Sequence, residues 1–346
     1  MPAKGAPVPF STIRPPPAHT PPAVPIFARP TMRVHTDLAT FTGVERPVLT
    51  TGTFDGVHLG HQTILHRLKE IAQREEGSSV LFTFYPHPRL VLQPTDNDLK
   101  LLNTQREKVE LLEAAGIDHL LIIPFSRTFS RMHALDFVRD VLVDQLRIHA
   151  AVIGYDHRFG RNREGDIQLM QRLGEAYDFA VEEIPAQEID RVKVSSTKIR
   201  EALLKGDVQL AATLLGYAYP ISGVVVKGDQ RGRTIGFPTA NVGVVDNFKL
   251  IPANGVYAVN VTLKEGVFQG MMNIGVRPTV EGSGERTLEV HVFGLEREIY
   301  GEPITVRLRH RIRDEVRFPG LDALKQQLER DKLEALRLLE RNDAIA

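Results

Sequence analysis

Cysteine is missing from all 346 residues. Disulfides, thiolate nucleophiles and cysteine-held metals are therefore excluded, and the chain fits a reducing, cytoplasmic setting. Net charge is missing too: 43 Lys and Arg balance 43 Asp and Glu. Proteins that live on nucleic acid usually carry a basic excess, so no nucleic-acid partner is expected. Aromatic residues are few, at 7%, which leaves little material for the platforms on which single strands stack. No apolar run approaches the roughly 20 residues of a membrane helix, and the N-terminus lacks the apolar centre of a signal peptide. Neither a membrane partner nor export is expected. What remains is ordinary globular composition, 42% hydrophobic and 25% charged, in a length suited to two domains or one large one.

Proline is unevenly spread. Ten of the 22 prolines fall within residues 1–31, in stretches such as "RPPPAHTPPAVP". Such a segment can neither form a ladder nor bury a face, and it reads as a disordered or polyproline-II tail. Met32 follows, where a domain, and with it translation, is a candidate to begin. From Val48 to about Pro185 strands and helices alternate: "PVLTTG", then "HQTILHRLKEIAQREEG" with Ile64, Leu65, Leu68, Ile71 and Ala72 on one helical face, then "SVLFTFYP". "NTQREKVELLEAAG" opens with the capping box Thr104–Glu107; "IDHLLIIPF" is a buried strand, "ALDFVRDVLVDQL" a helix and "AAVIGYD" a strand. This order predicts a parallel sheet with helices on its faces, and ligands in such sheets bind beyond the strand C-termini. A helical bridge, "SSTKIREALLKGDVQLAATLLG", follows, with Ser195 or Ser196 and then Asp207 as caps. From about Tyr219 short strands succeed one another without helices, which predicts an antiparallel barrel or sandwich. The closing amphipathic helix, "LDALKQQLERDKLEALRLLE", is expected to pack on it. There is no internal repeat.

Two stretches carry chemistry. In "TGTFDGVHLGHQTIL" (Thr51–Leu65), His58 and His61 stand three apart at the mouth of a helix. A helix N-terminus offers unpaired N–H groups and partial positive charge to an anion. Gly52 and Gly56 permit sharp turns, and Gly60 clears space between the imidazoles. A lone HxxH is more often a polar cap. A zinc site is the other alternative, but no third ligand stands nearby in sequence. "FTFYPHP" places His87 at a rigid strand exit, and "GYDHRFGRNREGD" supplies Arg158, Arg161 and Arg163 on a glycine-flanked loop. In "SSTKIR" hydroxyls and helix N–H groups again face an anion, with Arg200 on the first turns. The second stretch, "KGDQRGRTIGFPTANV" (Lys227–Val242), is glycine-rich, and Pro238 precedes Thr239 and Asn241. If extended, it projects a hydroxyl and an amide oxygen to one side, hard ligands suited to Mg²⁺. It lacks the Gly-Lys-Ser/Thr ending of a P-loop. In "RTLEVHVFG", Leu288, Val290 and Val292 alternate with Glu289, His291 and Phe293, so Glu289 stands on the open face, where it could take a proton.

"GTFDGVHLGH" resembles the nucleotidyltransferase signature of bifunctional riboflavin kinase/FAD synthetases, and is related to the HxGH of class I aminoacyl-tRNA synthetases. "FTFYPHP", "GYDHRFGRNREGD" and "SSTKIR" stand in that family's order, except that His157 replaces its usual phenylalanine. "GFPTAN", "NIGVRPT", "LEVHVF" and "IYG" resemble the riboflavin kinase module. The likeness spans roughly residues 48–340.

The resemblance implies a Rossmann-like α/β nucleotidyltransferase domain over 32–205, a helical linker over 206–218, and an antiparallel β-barrel kinase domain with a terminal helix over 219–346. It implies that the barrel phosphorylates riboflavin to FMN with Mg²⁺ and ATP. Glu289 is then the base, and Thr239 and Asn241 help hold the metal. The α/β domain then adenylylates FMN to FAD and releases pyrophosphate, with His58, His61 and Arg200 as catalytic groups. ATP and phosphates are expected at Gly52, Phe54, Asp55, Gly56 and Gly60, at His87 and Arg163, and at Ser195, Ser196 and Thr197. In the barrel they are expected at Gly228, Gly236 and Pro238. The rivals are a nucleotidyltransferase for another acceptor, which leaves the GFPTAN segment without a task, and an RNA-docking protein. The sequence carries no signature of an oligomeric state.

Overall fold

The computed structural model describes residues 31–94, 99–185, 194–228, 232, 235–277 and 285–340. The proline-rich tail up to Pro30 lies outside these, as do residues 229–231 and 233–234 of the glycine-rich stretch and Pro278 and Thr279 of "NIGVRPT".

Six parallel strands form the first sheet: β1 (Arg33–His35), β2 (Pro47–Thr51), β3 (Ser78–Tyr85), β4 (His119–Pro124), β5 (Ala150–Gly154) and β6 (Ala180–Ile184), in the order β1-β4-β3-β2-β5-β6. β2 and β5 are buried at every position, as central parallel strands covered on both faces must be. Successive residues serve opposite faces. Val48, Leu81 and Val152 pack with Leu65, Leu68 and Ile71 of α1 (Leu59–Arg74). Leu49, Phe82 and Ile153 pack with Phe137, Val138 and Val141 on the other side. The remaining helices of this half are α2 (Pro88–Leu92), α3 (Gln105–Ala114), α4 (Ala134–Asp136) and α5 (Ile167–Tyr177). The segment read as one helix over "ALDFVRDVLVDQL" is α4 running into a π-helix, Phe137–Gln145. β1 and β6, short edge strands, carry too little periodicity to be singled out in the sequence.

The neighbours of β2 are β3 on one side and β5 on the other. The loops after β2 and after β5 therefore leave the sheet at the point where its winding reverses, the place where open α/β sheets bind ligands.

The second sheet is a closed antiparallel barrel, β10-β11-β8-β7-β12-β9. Its strands are β7 (Tyr219–Val226), β8 (Ala240–Gly243), β9 (Gly255–Leu263), β10 (Gly266–Arg277), β11 (Glu285–Val292) and β12 (Pro303–Arg313). Apolar side chains such as Ile221, Val259, Met272, Val290 and Val306 cluster in its core, as a small barrel requires. β8 is the strand that the sequence disguises, because Ala240–Gly243 follows directly on the glycine-rich loop.

α6 (Ser196–Leu204) and α7 (Val208–Leu215) stand between the two sheets in sequence. Their Ile199, Leu203, Val208 and Leu215 share one apolar cluster with Leu102 and with Tyr219, Ile221 and Leu308 of the barrel. The terminal helix α8 (Leu321–Glu340) packs on β9, β10 and β12. Its Asp331 carboxylate, 1% exposed, accepts from Arg313 Nη2 at 2.7 Å and from Gln327 at 2.9 Å.

Candidate active sites

The loop after β2 is bent through positions that side chains seldom occupy. Phe54 has φ +46°, Gly56 +90° and Val57 +36°. A β-branched residue there is an outlier, and such backbone persists only where its surroundings impose it. At φ +90° Gly56 is favoured over any side chain, and a Cβ there would stand 2.6 Å from Leu102 Cδ1, which would have to shift. The loop ends at His58, the N-cap of α1, whose Nδ1 accepts the N–H of His61 at 3.3 Å. With Nδ1 accepting, the proton of a neutral His58 ring sits on Nε2, which remains a donor. The His58 and His61 rings stack with centroids 3.7 Å apart and planes 12° apart, and the Phe54 ring lies tilted against His61 with centroids 4.7 Å apart. Burial lowers both imidazoles, His58 to about 4 and His61 well below its usual value. Both are therefore neutral at pH 7. His61 Nδ1 is buried and has no hydrogen-bond partner among the described residues.

His87 is arranged like His58. It caps α2, its Nδ1 accepts from Arg89 N at 3.2 Å, and burial together with Lys108 and Arg200 lowers it to about 4.

Asp55, expected as a phosphate contact, is turned to protein partners on both oxygens. Oδ1 accepts from Leu102 N at 2.9 Å, and Oδ2 meets Arg200 Nη2 at 2.5 Å. Burial pushes the carboxyl up, while Arg200, Lys108 and the Leu102 and Asn103 amides pull it back. Arg200 is tied down further, its Nε donating to Lys100 O at 2.8 Å. Ser195 is the N-cap of α6, and Ser196 Oγ donates to Asp55 O at 2.9 Å. Asp55 therefore draws the N-terminal turns of α1 and α6 together, two helix ends that favour an anion. Thr197 is exposed on the same turn, and Gly60 is buried under His58. Gly52 is held by its N–H to Phe82 O at 3.1 Å.

Lys108 was hidden in the sequence. It reads as one charge among many on α3, but its Nζ donates to Thr53 O at 2.7 Å, and its charge is felt by Asp55, His61 and His87. Tyr217 is another such residue: its hydroxyl donates to Gly56 O at 2.5 Å. The loop after β5 is less closely joined. Arg158 pairs with Asp166 at 3.1 Å, while Arg163 sits at φ +61° and makes no side-chain bond to the imidazoles among the described residues. His157 lies parallel to Phe159 at 6.0 Å, so the imidazole fills the aromatic place, and burial lowers it to about 4.

A second polar row runs across the barrel. Asn241 of β8 is in register with Glu289 of β11, and Glu289 with Asn273 of β10. Cross-strand partners share a face, so two amides flank the carboxylate, while Leu288, Val290 and Val292 turn into the core. Asn273 stands in "NIGVRPT" but had no predicted role. The turn before β8 is pinned to this face, because Pro238 O meets His291 Nδ1 at 2.7 Å and Phe237 lies against the same ring. Thr239 follows it, half-buried. Gly228 presses on Asn241 so closely that a Cβ there would stand 2.0 Å from Nδ2. Gly236, at φ +85°, has open space around it. Hydroxyl, amide and carboxylate oxygens form the hard donor set that Mg²⁺ prefers. Among the described residues no group of three or more His, Asp or Glu could hold a metal, zinc included.

Fold and sites define a class: a nucleotidyltransferase-type parallel sheet joined to a closed barrel with its own polar site. Two family models match the chain in succession, FAD synthetase over residues 42–198 and riboflavin kinase over 215–339. The bifunctional riboflavin kinase/FMN adenylyltransferase of Escherichia coli K12 is 43% identical over 289 residues, 83% of this chain and 91% of that protein. Its counterpart in Bacillus subtilis is 38% identical over 296 residues, 84% and 92%. A crystal structure of a Streptococcus pneumoniae protein named for macrolide efflux superposes with TM-score 0.78 and 32% identity, covering 88% of this chain and 98% of that one. Among the described residues no helix is long and apolar enough to cross a membrane. The chain belongs to the bifunctional riboflavin kinase/FMN adenylyltransferase family, a family of two-activity transferases.

Proposed function

We propose that the two transfers run at the two sites described, with riboflavin, FMN and ATP as substrates and FAD as final product. The observation that carries the division is their separate construction: stacked neutral imidazoles at converging helix ends in one half, a carboxylate between amides on the barrel in the other.

In the barrel, Glu289 takes the proton of the riboflavin 5′-hydroxyl as that oxygen bonds to the γ-phosphorus of ATP and ADP departs. Thr239 and Asn241 would hold Mg²⁺, which when bound offsets phosphate charge. The remaining work of the site is positioning. Gly228, Gly236 and Pro238 let the backbone approach the phosphates.

At the β2 loop, an FMN phosphate oxygen bonds to the α-phosphorus of ATP, and the bond to the β-phosphate oxygen breaks. The nucleophile is already an anion, so no base is required. The Nε2–H of His58, the neighbouring His61 and the N–H groups of α1 and α6 stabilise charge on the α-phosphate and on pyrophosphate as it leaves. Lys108 adds a cation. His87, Arg163, Ser195 and Thr197 border the nucleotide, while Asp55 and Arg200 hold the loop to α6. Gly52, Gly56 and Gly60 give the nucleotide room, and Phe54 fixes His61. Domain limits at about 205 and 219, a cytoplasmic setting and the absence of a nucleic-acid partner belong to the same reading.

Chromatography of products from riboflavin, ATP and Mg²⁺ tests it. His61→Ala should abolish FAD formation and spare FMN formation, and Glu289→Ala should do the reverse when FMN is supplied. Loss of both activities from either folded variant would refute the two-site division.

A further inference from the structure

One residue, Leu102, joins the two halves through the two peptide units on either side of its Cα. Leu102 gives its N–H to Asp55 Oδ1 at 2.9 Å, and its carbonyl accepts from Lys249 Nζ at 2.8 Å. Lys249 lies between β8 and β9, and its side chain is fully buried. Nζ also meets Glu107 Oε2 at 2.7 Å and stands 4.2 Å from the Tyr219 ring centroid. Glu107 Oε1 accepts the Ser222 N–H of β7 at 2.9 Å. The backbone runs alongside: Leu101 N donates to Phe248 O at 2.6 Å, and Leu250 N to Leu101 O at 2.8 Å. These contacts fall on residues 101–107, and Leu102 in turn bonds the Asp55 that pairs with Arg200.

Neither proposed reaction needs this ion pair, and a dry pair of matching apolar side chains is often as stable or more so. What an apolar pair would lack is direction. A buried ammonium fixes the Leu102 carbonyl, and with it the Asn103 N–H of the same peptide plane, which donates to Asp55 Oδ1 at 3.4 Å beside the Leu102 N–H. We propose that Lys249 is a positioning residue through which the kinase barrel sets the adenylylation site. The inference rests on the assignment of the Thr51–His61 loop to adenylylation. Burial lowers the Lys249 ammonium, and Glu107 counters that shift.

The test uses the full chain with Lys249→Met, Glu107→Gln and the double variant, measuring FMN formation, FAD formation from supplied FMN, and urea stability. Lys249→Met should lower kcat for FAD formation at least about tenfold, the scale on which a misplaced reactive group acts. KM for ATP and FMN formation should hardly change. The double variant leaves no unpaired buried charge. It should regain part of the stability, since one of the Thr104 and Ser222 N–H groups then loses its acceptor, but not FAD formation, because the Leu102 carbonyl remains unheld. A double variant that regains both would make the pair merely structural, and parallel loss of both activities would equally overturn the proposal. If Lys249→Met does not fold, the double variant alone decides on its kcat. Failure of the underlying assignment would show separately, as FAD formation surviving His61→Ala.

Discussion

The state of the His58 ring can be read through stability. Buried beside His61 and capping α1, it is held at about 4 rather than its ordinary 6.5. The unfolded chain thus takes up this proton well before the folded one. Stability contributed by the neutral ring is intact above pH 6.5, begins to fall below it, and is lost by about pH 4. Linkage between those two values gives a loss of about 2 kcal/mol between pH 7 and pH 4.5. His58→Asn is the perturbation of choice, because asparagine is a strong N-cap and removes the titration without removing the cap. Urea unfolding of both proteins across this pH range is the assay. Other buried histidines titrate in both, so most of the difference belongs to this ring, and His61, stacked on it, contributes the rest. The wild type should lose about 2 kcal/mol more than the variant. Equal losses would show that the ring is not held neutral, and the donor role of Nε2 would fall with it.

Three further outcomes follow from particular contacts. Gly56→Ala, at φ +90° and 2.6 Å from Leu102 Cδ1, should cost about 1–3 kcal/mol in denaturant unfolding and depress FAD formation more than FMN formation. Gly228→Ala pushes the Asn241 amide out of place; FMN formation should drop about tenfold or more while FAD formation from supplied FMN persists. Asp331→Ala leaves Arg313 without its buried carboxylate and should cost about 3 kcal/mol, seen as a lower urea midpoint.

The alternation of strands and helices, the capping box at Thr104, the caps at Ser195 and Asp207 and the in-out pattern around Glu289 were legible in the sequence, because each is a local rule of period or cap chemistry. So were the imidazoles and glycines of the β2 loop, which are neighbours along the chain. The groups that position them were not. Lys108, Lys249, Tyr217 and Asn273 read as an ordinary charge, turn or strand residue, and their partners lie far away in the chain: Lys108 reaches Thr53, Tyr217 reaches Gly56 and Lys249 reaches Leu102. Asp55 shows the same division. The sequence offers it to phosphate, and only the fold shows that Leu102 and Arg200 also meet its two oxygens. Periodicity and capping are settled within a turn or two of chain. Burial, pairing across strands and the field at a side chain depend on which distant segments pack together, and only the tertiary structure decides that.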